Sequence, residues 1–140
     1  MAPPSALTIA TQSVQRLVKE ETYYHKEQAN QEARIQKLAG EIEAENPDLD
    51  SNAEYVLKQE KTALEETKAV FGPLGVRITD AVQKLEEQIA ISESDGTASE
   101  EQLKKAKEAL VSGQKVTAQK DVLDNGTEGD EQAAVVSATA

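Results

Sequence analysis

The chain has 140 residues and a net charge of −11, because 26 acidic residues outnumber 15 lysines and arginines. It contains no cysteine and one histidine, which excludes a disulfide scaffold, a thiolate zinc site and a cysteine nucleophile. The acidic balance argues against nucleic acid or anionic membranes as partners, since phosphate recognition depends on lysine and arginine. No apolar run approaches the ~20 residues that cross a bilayer, and residues 1–10 lack signal-peptide features. We therefore expect an intracellular, cytoplasmic protein.

The first periodic segment, about residues 5–44, predicts one long helix. It contains no proline, and its single glycine is Gly40. Apolar residues recur near heptad spacing from Val14 to Ile42. Several heptad positions in the middle carry polar side chains instead, at Glu21, Gln28 and Gln31. The sequence therefore predicts a polar seam in the middle of this helix.

The second segment, about residues 51–91, carries the most regular apolar stripe. Pro47 ends the first helix, and Ser51 with Glu54 fits a capping box for the next one. The stripe repeats every seven residues, at Leu57, Leu64, Phe71, Ile78 and Leu85. It keeps its phase across Pro73, which favours one helix kinked near this proline over two short helices.

The third segment begins after a loop at Asp95-Gly96. Ser99 and Gln102 fit a second capping box, and a helix over about residues 99–120 follows. Its inward candidates are Leu103, Ala106 and Leu110, followed by Val111 and Val116. Gly113 lies inside this helix and makes it the weakest of the three. Residues 121–140 carry five acids and no base, which predicts a disordered acidic tail.

Three long helices with short connections predict an all-α fold over residues 1–120. The expected architecture is an antiparallel three-helix bundle, which is a coiled coil of the spectrin-like kind. Residues 121–140 would then lie outside the bundle as the disordered tail.

No group of residues in the chain has the pattern of an active site. His25 lies mid-helix among charged neighbours and is interpreted as an exposed helix residue. Acidic pairs such as Glu20 and Glu21 are adjacent in sequence, so they point apart on a helix. The basic cluster of Lys104, Lys105 and Lys107 is interspersed with acids and is interpreted as a solvated face. We expect no catalytic residue, no cofactor, no metal site and no enzymatic activity.

The remaining function for such a chain is the presentation of helix faces to a partner. Val18 and Tyr23 lie off the strict stripe of the first helix. They either widen the core or form part of a docking face, and the pattern leaves both open.

The first helix resembles the tubulin-specific chaperone A family, also called tubulin-binding cofactor A. The resemblance rests on residues 14–20, Val-Gln-Arg-Leu-Val-Lys-Glu, and on the step Tyr-His-Lys-Glu at residues 24–27. It continues through Gln-Glu-Ala-Arg-Ile-Gln-Lys-Leu at residues 31–38. Members of this family also carry a proline inside the second helix, which Pro73 matches.

The resemblance implies a three-helix bundle that binds quasi-native β-tubulin. Such a protein receives β-tubulin after chaperonin release and holds it before αβ-heterodimer assembly, so other tubulin-folding cofactors are indirect partners. The implied setting is the cytoskeleton, and no nucleotide is hydrolysed. The matched segment is the expected contact with the partner: Arg16, Leu17, Val18, Lys19, Glu20 and Tyr24.

The residues alone leave a second function open. A structural coiled-coil module of the spectrin-like kind would self-associate through the same stripes and ignore tubulin. The pattern also does not decide between a monomer and a homodimer.

Overall fold

The structure is a computed structural model that describes the backbone of residues 4–139 and the side chains of residues 4–119. The described residues form three α-helices and no strand, which confirms the predicted all-α fold. The helices are α1 (Ala6–Glu43), α2 (Ala53–Asp95) and α3 (Glu100–Thr139). The backbone of α3 continues beyond the helix end predicted at about residue 120. The side chains of residues 121–140 are not described, and the disordered acidic tail predicted there stays a prediction.

Pro73 lies inside α2, which is one continuous helix of 43 residues. Proline lacks the N–H that would bond to the preceding turn, so it normally ends a helix or kinks it. The apolar stripe keeps its seven-residue spacing on both sides of Pro73. The helix continues through the proline, as the sequence predicted. The kink itself stays a prediction.

Polar side chains cap the beginning of α1 and of α3. Ser5 caps α1, because its Oγ accepts the N–H of Thr8 at 3.1 Å. The predicted capping box before α3 is present: Gln102 N–H donates to Ser99 Oγ at 3.1 Å, and Ser99 N–H donates to Gln102 Oε1 at 3.0 Å. The capping box predicted at Ser51 and Glu54 does not form at α2. The carbonyl of Asn52 accepts the N–H of Val56 at 2.9 Å, so α2 begins at Ala53, one residue later than that box would place it.

The ends of α1 and α2 use residues in the left-handed backbone region. Glu45 has a φ of 52° and follows α1 in a Schellman motif. In that motif Asn46 N–H donates to the Glu41 carbonyl at 3.3 Å, and Glu45 N–H donates to the Ile42 carbonyl at 3.1 Å. Gly96 has a φ of 65° and follows α2, where a residue without Cβ adopts this conformation at no steric cost.

The helices divide into two compact units. The three-helix unit comprises Met1–Val18 and Gly75–Ala140, and therefore holds the start of α1, the second half of α2 and α3. The two-helix unit comprises Lys19–Leu74, and therefore holds the rest of α1 and the first half of α2.

The three-helix unit contains most of the buried apolar side chains. α2 and α3 run antiparallel in it, because Lys107 Nζ lies 2.9 Å from Glu93 Oε1 while Gln114 Nε2 lies 3.3 Å from Glu86 Oε1. Its buried apolar residues are Leu7, Ala10, Val14, Leu17, Ile78, Val82, Leu85, Ile89, Ala106 and Ala109. All three helices contribute to this core, as a bundle requires.

Gly113 is a position where α3 packs closely against both other helices. It is buried, and a Cβ placed there would lie 2.6 Å from Cγ2 of Val82 and 3.0 Å from Cγ1 of Val14. The sequence interpretation treated this glycine as a weak point of the helix. The structure shows that the missing side chain makes room for Val14 on α1 and Val82 on α2.

The two-helix unit is an antiparallel hairpin whose apolar stripe is only half covered. Arg34 Nε lies 3.4 Å from Glu60 Oε2, and the ring of His25 stacks on Phe71 nearer the other end of the unit. Leu74 is buried at 2% exposure, but the other larger apolar side chains along the seam are half-buried: Tyr24, Ile35, Leu38, Ile42, Leu57, Leu64 and Phe71. Two helices cannot enclose a stripe that three helices would bury.

Candidate functional site

The segment identified from the sequence as a partner contact lies entirely on α1. Arg16 and Lys19 are exposed, whereas Leu17 is buried with 7% of its surface accessible. Val18, Glu20 and Tyr24 are half-buried. Leu17 therefore holds α1 in the core of the three-helix unit, and the other five side chains present accessible surface.

Tyr23 is the largest apolar side chain on α1 that lies at the surface. It is 61% exposed, and its ring meets that of Tyr24 edge to face at 5.3 Å between centroids. Of the two roles that the sequence left open, the exposure of Tyr23 favours the docking face. Val18 is half-buried and contributes to both the core edge and the surface.

His25 connects α1 to α2 within the two-helix unit. Its Nε2 lies 2.8 Å from Oε1 of Glu21, one turn earlier on α1. Its ring stacks on Phe71 at 4.4 Å between centroids and 25° between planes. The sequence predicts the exposure of His25 but not this stack. His25 directly follows Tyr24 on the apolar stripe of α1, and Phe71 is the aromatic residue on the stripe of α2. These two positions are the signal in the sequence that could have predicted the stack.

The predicted polar seam is present in part. Gln28 is half-buried and its Nε2 donates to Glu32 Oε1 at 2.9 Å, while Glu21 is half-buried and bonded to His25. Gln31 is buried at 6% exposure, and its Oε1 has no hydrogen-bond partner among the described residues. A buried amide oxygen without a donor costs free energy that an apolar side chain would not.

Replacing Gln31 with leucine should raise the free energy of unfolding by about 1–2 kcal/mol, because the change removes an unpaired acceptor and adds apolar contact at a seam position. Urea denaturation measures the effect. Gln36→Leu is the control, since Gln36 is exposed on the same helix and should change stability little. A loss of stability in Gln31→Leu would mean that Oε1 has a bound water or another donor.

The basic cluster on α3 divides into two kinds of position. Lys105 fits the interpretation as a solvated residue, because it is exposed and its Nζ lies 3.6 Å from Glu101 Oε1. Two of the lysines instead line an open groove of about 640 Å³ on one face of α3, whose lining residues are Glu100, Leu103, Lys104, Lys107, Glu108 and Val111. The predicted inward position Val111 is 50% exposed in this groove.

Two kinds of feature are absent from the described part of the chain. Among its residues, no three His, Cys, Asp or Glu side chains gather where a metal ion could bind. None of the helices, as far as it is described, combines the length and the apolar character needed to span a bilayer.

A comparison with protein families identifies the family of the chain. The family model of tubulin binding cofactor A matches residues 2–110, which is most of the chain. The chain belongs to the tubulin binding cofactor A family. Tubulin-specific chaperone A of Saccharomyces cerevisiae (strain ATCC 204508 / S288c) is 33% identical over 84 residues, which cover 60% of this chain and 72% of the yeast protein. No solved structure gives a significant match.

Membership of the tubulin binding cofactor A family confirms the resemblance found in α1. It supports a role as a tubulin chaperone that acts by binding rather than by catalysis. The match ends at residue 110, so it covers α1, α2 and the first eleven residues of α3, including most of the α3 groove.

Proposed function

We propose that the chain binds quasi-native β-tubulin after its release from the chaperonin and holds it before αβ-heterodimer assembly. The observation that carries this proposal is the family match over residues 2–110. The arrangement of the helices supports it, because the accessible features of the described residues are helix faces with exposed apolar and charged side chains. Holding a folding intermediate requires such faces and no reaction.

The α1 segment is the proposed contact with β-tubulin. Arg16 and Lys19 provide exposed positive charge in an acidic chain, and Tyr23 and Tyr24 provide an aromatic pair beside them. Arginine and tyrosine are the residue types that most often dominate the energy of protein interfaces. Leu17 supports the segment from inside the core, so its substitution would report on folding rather than on contact.

The proposed setting follows from the same role. A holder of β-tubulin works in the cytoplasm beside the cytoskeleton, and other tubulin-folding cofactors meet this chain only through the β-tubulin that passes between them. A structural module that self-associates is the competing function, and the binding experiment below separates the two.

The double substitution Arg16→Ala with Lys19→Ala should weaken binding to β-tubulin about tenfold or more, since each side chain is exposed and interface arginines commonly contribute over 1 kcal/mol. Surface-immobilised β-tubulin and the purified chain give the dissociation constant. The control is Lys37→Ala with Lys61→Ala, which removes the same charge from two exposed positions of the two-helix unit. It should bind like the wild type.

Two results would contradict the proposal at different levels. If the wild-type chain sediments as a stable oligomer and does not bind β-tubulin, the chain is a structural module. If the wild type binds but the Arg16/Lys19 variant binds equally well, the holding function stands and the contact lies elsewhere.

A further inference from the structure

One outward face of α1 in the two-helix unit carries positive charge and no acidic residue. Its residues recur at intervals of three and four along α1, which keeps them on one side of a helix. The buried Gln31 and the half-buried Tyr24 and Gln28 lie on the opposite side, toward α2. This basic face consists of seven exposed residues: Lys19, Thr22, Tyr23, Lys26, Ala29, Asn30 and Ala33.

The two lysines of the basic face have no acidic neighbour within one turn of the helix. The side chains that a helical residue can reach on its own helix are those three and four positions away. For Lys19 and Lys26 these positions hold Gln15, Arg16, Thr22, Tyr23, Ala29 and Asn30. Neither lysine forms an ion pair with another residue whose side chain the structure describes. Both ammonium groups are therefore available to a partner.

The acids in the same stretch of α1 lie away from the basic face. They are Glu20, Glu21, Glu27 and Glu32. Each lies about 100° or more around the helix from the middle of the face. Glu21 and Glu27 also have cationic partners of their own, since Glu21 Oε1 lies 2.8 Å from His25 Nε2 and Glu27 Oε1 lies 3.7 Å from Arg34 Nη2. The basic face thus presents positive charge to the solvent although the whole chain has a net charge of −11.

The spacing of the two lysines indicates the ligand chemistry. Lys19 and Lys26 are seven residues apart, which is about 10 Å along the helix axis. Three residues of an extended peptide span the same distance, so carboxylates at such a spacing reach both ammonium groups. Tyr23 lies between the lysines and is 61% exposed, and its hydroxyl can donate a hydrogen bond to a carboxylate or a backbone carbonyl of the same peptide.

Nucleic acid and anionic membranes also carry negative charge but fit this face less well. Both are extended surfaces of phosphate groups, and they would meet the rest of a chain whose net charge is −11. A single acidic segment of a protein approaches the basic face alone and avoids most of that repulsion.

We infer that the basic face binds an acidic segment of a protein partner, whose carboxylates pair with Lys19 and Lys26. This inference rests on the proposed function, in that the segment belongs to β-tubulin. It gives the α1 contact a ligand chemistry and extends that contact along the helix to Lys26, which lies beyond the segment identified from the family resemblance.

Two double variants of equal net charge test the basic face. Lys19→Glu with Lys26→Glu reverses its two charges. Lys37→Glu with Lys61→Glu is the matched control, because both lysines are exposed and each has a glutamate four residues further on. Each pair of substitutions removes two positive and adds two negative charges, which changes the net charge from −11 to −15. Circular dichroism should show the same helix content in both variants and in the wild type.

Immobilised β-tubulin should bind the Lys19/Lys26 variant about tenfold more weakly than the wild type at low ionic strength. The difference should shrink at about 0.5 M salt, because exposed ion pairs are screened. The Lys37/Lys61 variant should bind within about threefold of the wild type, since only its overall charge differs. Equal binding of β-tubulin by both variants and the wild type would overturn the inference and leave the proposed function intact.

A fluorescent oligoglutamate peptide separates the inference from the proposed function. Its anisotropy should rise with the wild type and the Lys37/Lys61 variant, and not with the Lys19/Lys26 variant. If the wild type does not bind β-tubulin, the proposed function fails, and the peptide alone decides whether the face recognises carboxylates. Absence of peptide binding to the wild type would then overturn the inference. Tighter binding of phosphatidylserine vesicles or single-stranded DNA than of the peptide, lost in the Lys19/Lys26 variant, would also overturn it.

Discussion

Gly113→Ala is expected to lower the free energy of unfolding by about 1–3 kcal/mol, although alanine is the better helix former. The new Cβ would lie 2.6 Å from Cγ2 of Val82 and 3.0 Å from Cγ1 of Val14. Valine is branched at Cβ and has few alternative rotamers in a helix, so neither neighbour can move aside without displacing a helix. Urea denaturation followed by circular dichroism measures the loss.

Gly40→Ala is the matched control for this prediction. Gly40 lies inside α1, and a Cβ placed there meets no atom within 4 Å. Helix propensity alone then acts, and the substitution should stabilise the protein by about 0.5–1 kcal/mol. Equal stabilisation by both alanines would contradict the close approach of α3. Partial rescue of Gly113→Ala by Val82→Ala would locate the clash at the predicted atom pair.

Leu85→Ala should cost about 2–5 kcal/mol, whereas Leu64→Ala should cost about 1–2 kcal/mol. The two leucines lie on the same seven-residue stripe of α2 and look equivalent in the sequence. Leu85 is fully buried in the three-helix unit, and Leu64 is half-buried in the two-helix unit. The same chemical change therefore removes different amounts of buried surface.

Chemical denaturation of both leucine variants under one set of conditions makes this comparison. Equal losses would show that the seam of the two-helix unit is as well covered as the core of the three-helix unit. A larger loss at Leu64 would contradict the greater burial of Leu85.

Local signals in the sequence were sufficient for the helices and for one of the two predicted capping boxes. The seven-residue stripe kept its phase across Pro73, and α2 is continuous there. Ser99 and Gln102 form the reciprocal bonds that their spacing predicts. Each of these features depends on residues within a few turns of one another, which is the range over which periodicity and capping rules apply.

The burial along α2 could not be predicted, because periodicity identifies which face turns inward and not how many helices cover it. Ile78 and Leu85 are fully buried, but Leu64 on the same stripe is half-buried. The packing role of Gly113 could not be predicted for a related reason. The effect of this glycine on stability depends on Val14 and Val82, which lie on other helices and are distant in sequence.

The candidate surfaces were harder to predict than the fold. Motif resemblance pointed to residues 16–20 but did not show that Leu17 is buried while Arg16 and Lys19 are exposed. The α3 groove was missed, because its lysines are interspersed with acids and look like an ordinary solvated face. The spacing of Leu103 and Val111 was read as an inward stripe, and only the position of the core face shows that Val111 points outward.

Cross-linking mass spectrometry of the chain with β-tubulin tests the central claim, that helix surfaces of this chain hold the partner. An amine-reactive reagent should join β-tubulin to Lys19 in the α1 segment. Lys58 and Lys61 on α2 should give few such links. No link to β-tubulin at all, or links confined to Lys58 and Lys61, would contradict the account.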